Sequence, residues 1–151
     1  MIRPTVDVEA RSGLFAATTK ALIDTGAPRC VFPKGIARLL GITLPAIPSQ
    51  TTGKHVFLNR EWHSITCDVD LSIRPFDDIA WNAGVDFVIE EGLPFALLGY
   101  EGFLNKWAVG FNAALGYFTV EESDDFYGKT DASTKQDLRR RHPDLFPSGW
   151  F

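Results

Sequence analysis

The run Ala21-Leu22-Ile23-Asp24-Thr25-Gly26-Ala27 sets an acid at the end of three apolar residues and at the start of a turn. An apolar strand would deliver the Asp24 carboxylate to a rigid position, Thr25 could hydrogen-bond across the turn, and Gly26 would let a second backbone come close. A carboxylate held in that way at a cleft can move protons. The bland alternative is a turn aspartate that caps its own backbone. Average residue usage gives such a tetrad with a small fourth residue in on the order of one chain in a hundred of this length, so the motif needs support from elsewhere. Downstream stands Leu97-Leu98-Gly99, preceded by Pro94-Phe95-Ala96 and followed by Tyr100-Glu101-Gly102-Phe103-Leu104. Other reactive residue types are less suggestive. His55, His63 and His142 with Cys30 and Cys67 lack the paired short spacings of a zinc site, so no metal is expected and surface or core roles are assigned to them. Cys30 reads as a small buried filler. Trp62, Trp81 and Trp107 read as core.

The elements that must carry these residues are mostly strands. Apolar and polar residues alternate in short runs broken by Gly, Pro, Asn and Asp. Thr5 to Ala10 alternates, Arg11-Ser12-Gly13 turns the chain, and Leu14 to Ile23 returns to Asp24, which predicts a hairpin ending at the acid. Lys34 to Leu40 has helical spacing between Pro33 and Gly41 and predicts one short helix. Pro45 to Asn59 is polar and turn-rich, with Thr51, Thr52, Gly53 and Lys54 at its middle, and reads as a projecting hairpin or loop. Strands follow over Trp62 to Ile73, Ala80 to Ile89 and Phe95 to Gly99. Tyr100 to Lys106 can form one or two helical turns, and Trp107 to Phe111 with Tyr117 to Val120 make a last hairpin.

At 151 residues the chain suits one domain, with a motif-bearing body over 1–121 and a polar tail over 122–151. In the tail, Ser133-Thr134-Lys135-Gln136 has capping-box spacing, and a short helix is predicted near 133–141, ending before Pro143. Phe146, Trp150 and Phe151 need somewhere to dock, on the body or on a partner. A net charge of −4 gives no footprint for a phosphate backbone, so nucleic acid is not expected as a partner. Arg139-Arg140-Arg141 reads as a solvated face. No apolar run is long enough to span a bilayer and the N-terminus lacks an apolar stretch, so no membrane partner and a cytoplasmic location are expected. Two cysteines are too few for a disulfide framework and read as free thiols.

The pairing of Asp24-Thr25-Gly26-Ala27 with the later Leu97-Leu98-Gly99 strand, the Phe103-Leu104 turn and a closing hairpin resembles the retropepsin-like aspartic proteases. The resemblance covers roughly 4–121. It implies an all-β fold, a small closed β-barrel with one or two short helices and the C-terminal tail. It also implies an aspartic endopeptidase in which Asp24 is the catalytic acid, Thr25 locks two acid loops across a dimer axis, Gly26 offers its carbonyl to substrate backbone, and Ala27 completes the loop. Leu97, Leu98 and Gly99 would brace that loop. Two nearby carboxylates cannot both ionise readily, so they share a proton and activate a water between them, without metal or other cofactor. With one Asp-Thr-Gly per chain the resemblance implies a homodimer acting on a peptide or protein substrate. The segment Thr51, Thr52, Gly53 and Lys54 is the candidate flap, although family flaps carry more glycine. Where the family often has acidic residues after the tetrad and Arg after the later glycine, this chain has Pro28-Arg29 and Tyr100-Glu101, which suggests a reversed ion pair between Arg29 and Glu101. The alternative function is a non-catalytic peptide-binding or scaffolding module on the same fold.

Overall fold

A computed structural model describes residues 3–112 and 114–122. The expected tail helix near 133–141, the three arginines and the terminal aromatics lie outside the described residues. The alternating N-terminal segment folds as the predicted hairpin, β1 (Thr5–Ser12) with β2 (Phe15–Ile23), turning at Gly13 with φ 57°. The remaining elements are β3 (Val31–Phe32), α1 (Lys34–Leu39), β4 (Gly53–Phe57), β5 (Arg60–Arg74), β6 (Ala80–Val88), β7 (Ala96–Leu98), β8 (Trp107–Asn112) and β9 (Tyr117–Glu122). A single 3-10 turn, Pro48–Gln50, precedes β4.

Strands pair in the order β1-β2-β7-β3-β6-β5, and β5 pairs back onto β1 from Asp7↔Arg74 to Arg11↔Asp70, so six strands close a barrel. Closure leaves the ring without free edges, which is how a small all-β body avoids edge-to-edge association. The long strand β5 makes this possible. One of its edges takes β6, from Ser64↔Val88 to Ser72↔Ala80; the other takes β1 at its far end and β4 at its near end. Its buried face changes along the way without a break in register. Val69, Leu71 and Ile73 point into the barrel core, whereas Trp62 packs in a second cluster with Ala27, Val31, Val88, Leu93 and Leu97. The β8–β9 hairpin forms its own sheet and packs Trp107, Val109, Phe118 and Val120 on the barrel core.

Two local features differ from the sequence reading. The run Tyr100 to Lys106 is a series of turns and not a helix, because Gly102 takes φ 97°, outside helical space. The hairpin after Pro45 turns at Leu58 and Asn59, both left-handed with φ 52° and 57°, a two-residue turn in which both central residues have positive φ. The tip is therefore not at Thr51, Thr52, Gly53 and Lys54, which form the hairpin's base. Gly53 misled the reading: it is small because an added Cβ would lie 2.4 Å from Ser64 Oγ, not because the chain turns there. Helix α1 agrees with its signals, burying Ile36 and Ala37 and ending before Gly41 at φ 69°. Among the described residues no helix is long and apolar enough to cross a membrane.

Candidate active site

Strand β2 runs between β1 and the parallel strand β7, with Ile23 opposite Leu98. The ladder continues one residue further, as the Asp24 N–H donates to Leu98 O at 3.0 Å. There the chain turns. Gly26 N–H donates to Asp24 Oδ1 at 2.9 Å and Ala27 N–H to Asp24 O at 3.2 Å, so the side chain and backbone of Asp24 both organise the acid loop, residues 24–29.

Gly99 lies directly behind this loop. A Cβ there would fall 2.4 Å from Arg29 O and 2.6 Å from Ala27 O, closer than any side chain permits. Because the position is bare, the backbones can lace together: Tyr100 N–H donates to Ala27 O, Glu101 N–H to Pro28 O, each at 2.9 Å, and Cys30 N–H to Glu101 O at 3.1 Å. Leu97, Leu98 and Gly99 thus brace the acid loop through backbone, and Leu97 and Leu98 are buried. Arg29 Nη1 and Glu101 Oε2 form the ion pair anticipated from the sequence, within one chain.

Asp24 opens onto a cleft of about 220 Å³, floored by Asp24, Gly26, Ala27 and Pro28, walled by Val31 and Leu97, and covered by His55, Val56 and Phe57 of β4. Asp24 is the one carboxylate among those residues. Thr25 is exposed beside it and Ala27 is buried. Of the segment Thr51 to Lys54, none lines the cleft; its neighbours His55 to Phe57 do.

Sequence reasoning missed two participants. His55 was taken as a surface or core residue, yet it lines the cleft and its Nε2 lies 2.9 Å from Asp86 Oδ2. Asp86 is 2% exposed and accepts from Thr66 Oγ1 at 2.6 Å and from Arg29 Nε at 2.9 Å. Burial works to raise its pKa, but the donors His55, Thr66 and Arg29 and the charge of Arg29 outweigh it and hold the carboxyl below its ordinary range. The signal was present: an acid in the middle of Val85-Asp86-Phe87-Val88, a run otherwise apolar on both faces. Cys30 is fully buried, and burial pushes its thiol up to about 12, which removes it as a nucleophile. Among the described residues no group of three or more His, Cys, Asp or Glu side chains is placed to hold a metal ion.

No protein-family model matches the chain, and no curated protein matches it in sequence. Solved structures do match. A retropepsin-like aspartic protease from Rickettsia conorii superposes with a TM-score of 0.53 at 18% identity, over 78% of this chain and 89% of that one. The EIAV protease in complex with an inhibitor aligns with a TM-score of 0.46 at 15% identity, over 64% of this chain and 81% of that one. Together with the closed six-strand ring, the first of these similarities gives this chain a retropepsin-like fold.

Proposed function

We propose that the chain is an aspartic endopeptidase whose working unit is a homodimer. One observation carries the reading: the cleft beneath the β4–β5 hairpin contains a single carboxylate, Asp24, on a loop braced by Gly99. One acid cannot serve at once as base toward water and as acid toward a carbonyl. A second chain related by a two-fold axis would bring its own Asp24 opposite the first, and the exposed Thr25 would face its counterpart. In the assembled site the ionised carboxylate takes a proton from water as the water oxygen bonds to the scissile carbon. The protonated carboxylate gives its proton to the carbonyl oxygen. The tetrahedral diol then collapses: one hydroxyl gives its proton to the now ionised carboxylate as C=O re-forms, the C–N bond breaks, and the carboxyl that took the proton from water passes it to the departing amine. The substrate is an extended peptide or protein segment, its backbone reaching Gly26 O on the floor with the hairpin above it. The thiols of Cys30 and Cys67 are free, which fits a reducing compartment such as the cytoplasm.

The test is digestion of a diverse peptide mixture by the wild-type chain and by Asp24→Asn, each shown to be folded by circular dichroism. Turnover should fall by roughly 10²-fold or more in the variant, the scale of acid–base catalysis. Specific activity should also fall on dilution through the dimer dissociation constant. Equal peptide binding by both forms with no cleavage would favour the binding-module reading, and constant specific activity in a demonstrated monomer would remove the dimer.

A further inference from the structure

We propose that Asp86 is a positioning residue that sets how the β4–β5 hairpin stands over Asp24, by holding the hairpin and the acid loop on one buried carboxylate. The consequence for catalysis rests on the function proposed above, but the geometry does not.

Asp86 Oδ2 receives His55 Nε2 of β4 and Arg29 Nε of the acid loop, each at 2.9 Å, and Oδ1 receives Thr66 Oγ1 of β5 at 2.6 Å. An ionised carboxylate only accepts, so the His55 hydrogen sits on Nε2, where Ser64 Oγ at 3.2 Å is a second neighbour. Arg29 continues the chain of contacts to Glu101, two residues beyond the Gly99 that braces Asp24. The cover and the acid loop therefore meet at one side chain, and the brace behind the loop joins them through Arg29.

Sheet pairing alone does not do this. The five register pairs of β4 with β5 hold β4 in its ladder, but that ladder lies outside the closed ring and its pairing sets no distance to the acid loop. Besides the His63 to Glu90 contact of β5, two side-chain contacts of β4 restrain it. Toward the tip, Phe57 stacks on Trp62 at 5.4 Å between ring centroids, an apolar contact that tolerates sliding. Nearer the base, the His55 to Asp86 contact is directional and shielded, with side chains 9% and 3% exposed, so it fixes a distance to the acid loop that stacking cannot. An acid this buried, in the run Val85 to Val88 that is otherwise apolar on both faces, is costly unless every oxygen has partners. Here both do.

The experiment follows backbone amide exchange by NMR in the full-length chain and, in parallel, kcat and KM on a cleaved peptide. His55→Leu removes the donor. Exchange at the β4 ladder amides should quicken about tenfold, the scale of one lost hydrogen bond, with β1–β2 amides unchanged. KM should rise by about the same factor while kcat changes less. His55→Gln, whose amide can donate from a similar position, should restore most of what His55→Leu loses. Asp86→Asn should loosen the amides of Ala27 and Cys30 as well as those of β4; if it does not fold, the two His55 variants still decide. Unchanged β4 exchange in His55→Leu, a rise spread evenly over the barrel, or a His55→Gln variant as loose as His55→Leu would each overturn the proposal. Absence of turnover in the wild-type chain would instead remove the reading of Asp24, and the exchange data would still judge Asp86.

Discussion

Asp24 owes its position to a residue with no side chain. The space that a Cβ at Gly99 would need is occupied by two carbonyl oxygens, those of Arg29 and Ala27, and the Ala27 oxygen is itself bonded to Tyr100 N–H. Neither can retreat without unlacing the acid loop. Gly99→Ala should therefore destabilise the chain by about 3 kcal/mol, the upper end for forcing an extra carbon into a packed site. Gly35 gives the contrast: it lies in α1 and a Cβ there meets nothing within 4 Å. Gly35→Ala should stabilise by roughly 0.5–1 kcal/mol through helix propensity. Chemical denaturation of the two variants checks both signs, and a Gly99→Ala variant as stable as the wild type would show that the loop is not braced as described. Asp24, Gly99 and the Arg29–Glu101 pair were legible in the sequence because each lies in or beside a compact motif. The meeting of His55 with Asp86 was not, because it joins two strands across 31 positions and no local periodicity records such a contact.

At the scale of the element, the hairpin is tied down by two histidine–carboxylate contacts, one on each strand. His55 meets Asp86, and His63 meets Glu90 through its ring Nδ1 at 2.6 Å and its backbone N–H at 2.9 Å. For Glu90, as for Asp86, burial opposes the charge, but the donors from His63 prevail and keep the carboxyl below its ordinary value. A folded-state pKa below the unfolded one gives stability that is present above the unfolded value, about 4, and is lost as pH falls through the folded value. Thermal melts from pH 7 to pH 2 should show the midpoint falling below about pH 4, and Glu90→Gln should flatten part of that slope. An identical slope in the variant would mean that the contact stores no charge-dependent stability. Beyond these ties the hairpin ends in apolar side chains, Val56 at 73% and Leu58 at 55% exposed, which under the proposed function would close over an extended chain. The element itself was legible as a projection from the polar run 45–59, but its tip was not. Turn cues favour glycine, and this turn is made by Leu58 and Asn59 instead. The change of buried face along β5 was equally hidden, since alternation reports one face at a time and this strand uses both.

Across the whole molecule, closure of the ring by β5 on β1 and insertion of β7 between β2 and β3 turn a string of hairpins into a barrel. Strand existence could be read from alternation, and the barrel from the likeness that Asp24-Thr25-Gly26-Ala27 and Leu97-Leu98-Gly99 carry. Strand order could not, because parallel pairing of β2 with β7 is set by long-range packing and not by any turn. That pairing has a consequence in time. Asp24 leaves the ribosome before Leu98, yet its amide is satisfied by Leu98 O and its loop is laced to the backbone of Tyr100 and Glu101. Long-range contacts of this sort form late, after the entropy of closing the intervening chain has been met. A nascent or refolding chain therefore carries Asp24 in an unfinished turn until β7 docks, and under the proposed function it is inactive while neighbouring unfolded segments lie within reach. In pulse-labelled refolding, the amides of Asp24 and Tyr100 should gain protection together, and after those of the β1–β2 hairpin. Protection of Asp24 in step with β1–β2 would mean that the acid turn is complete before β7 docks.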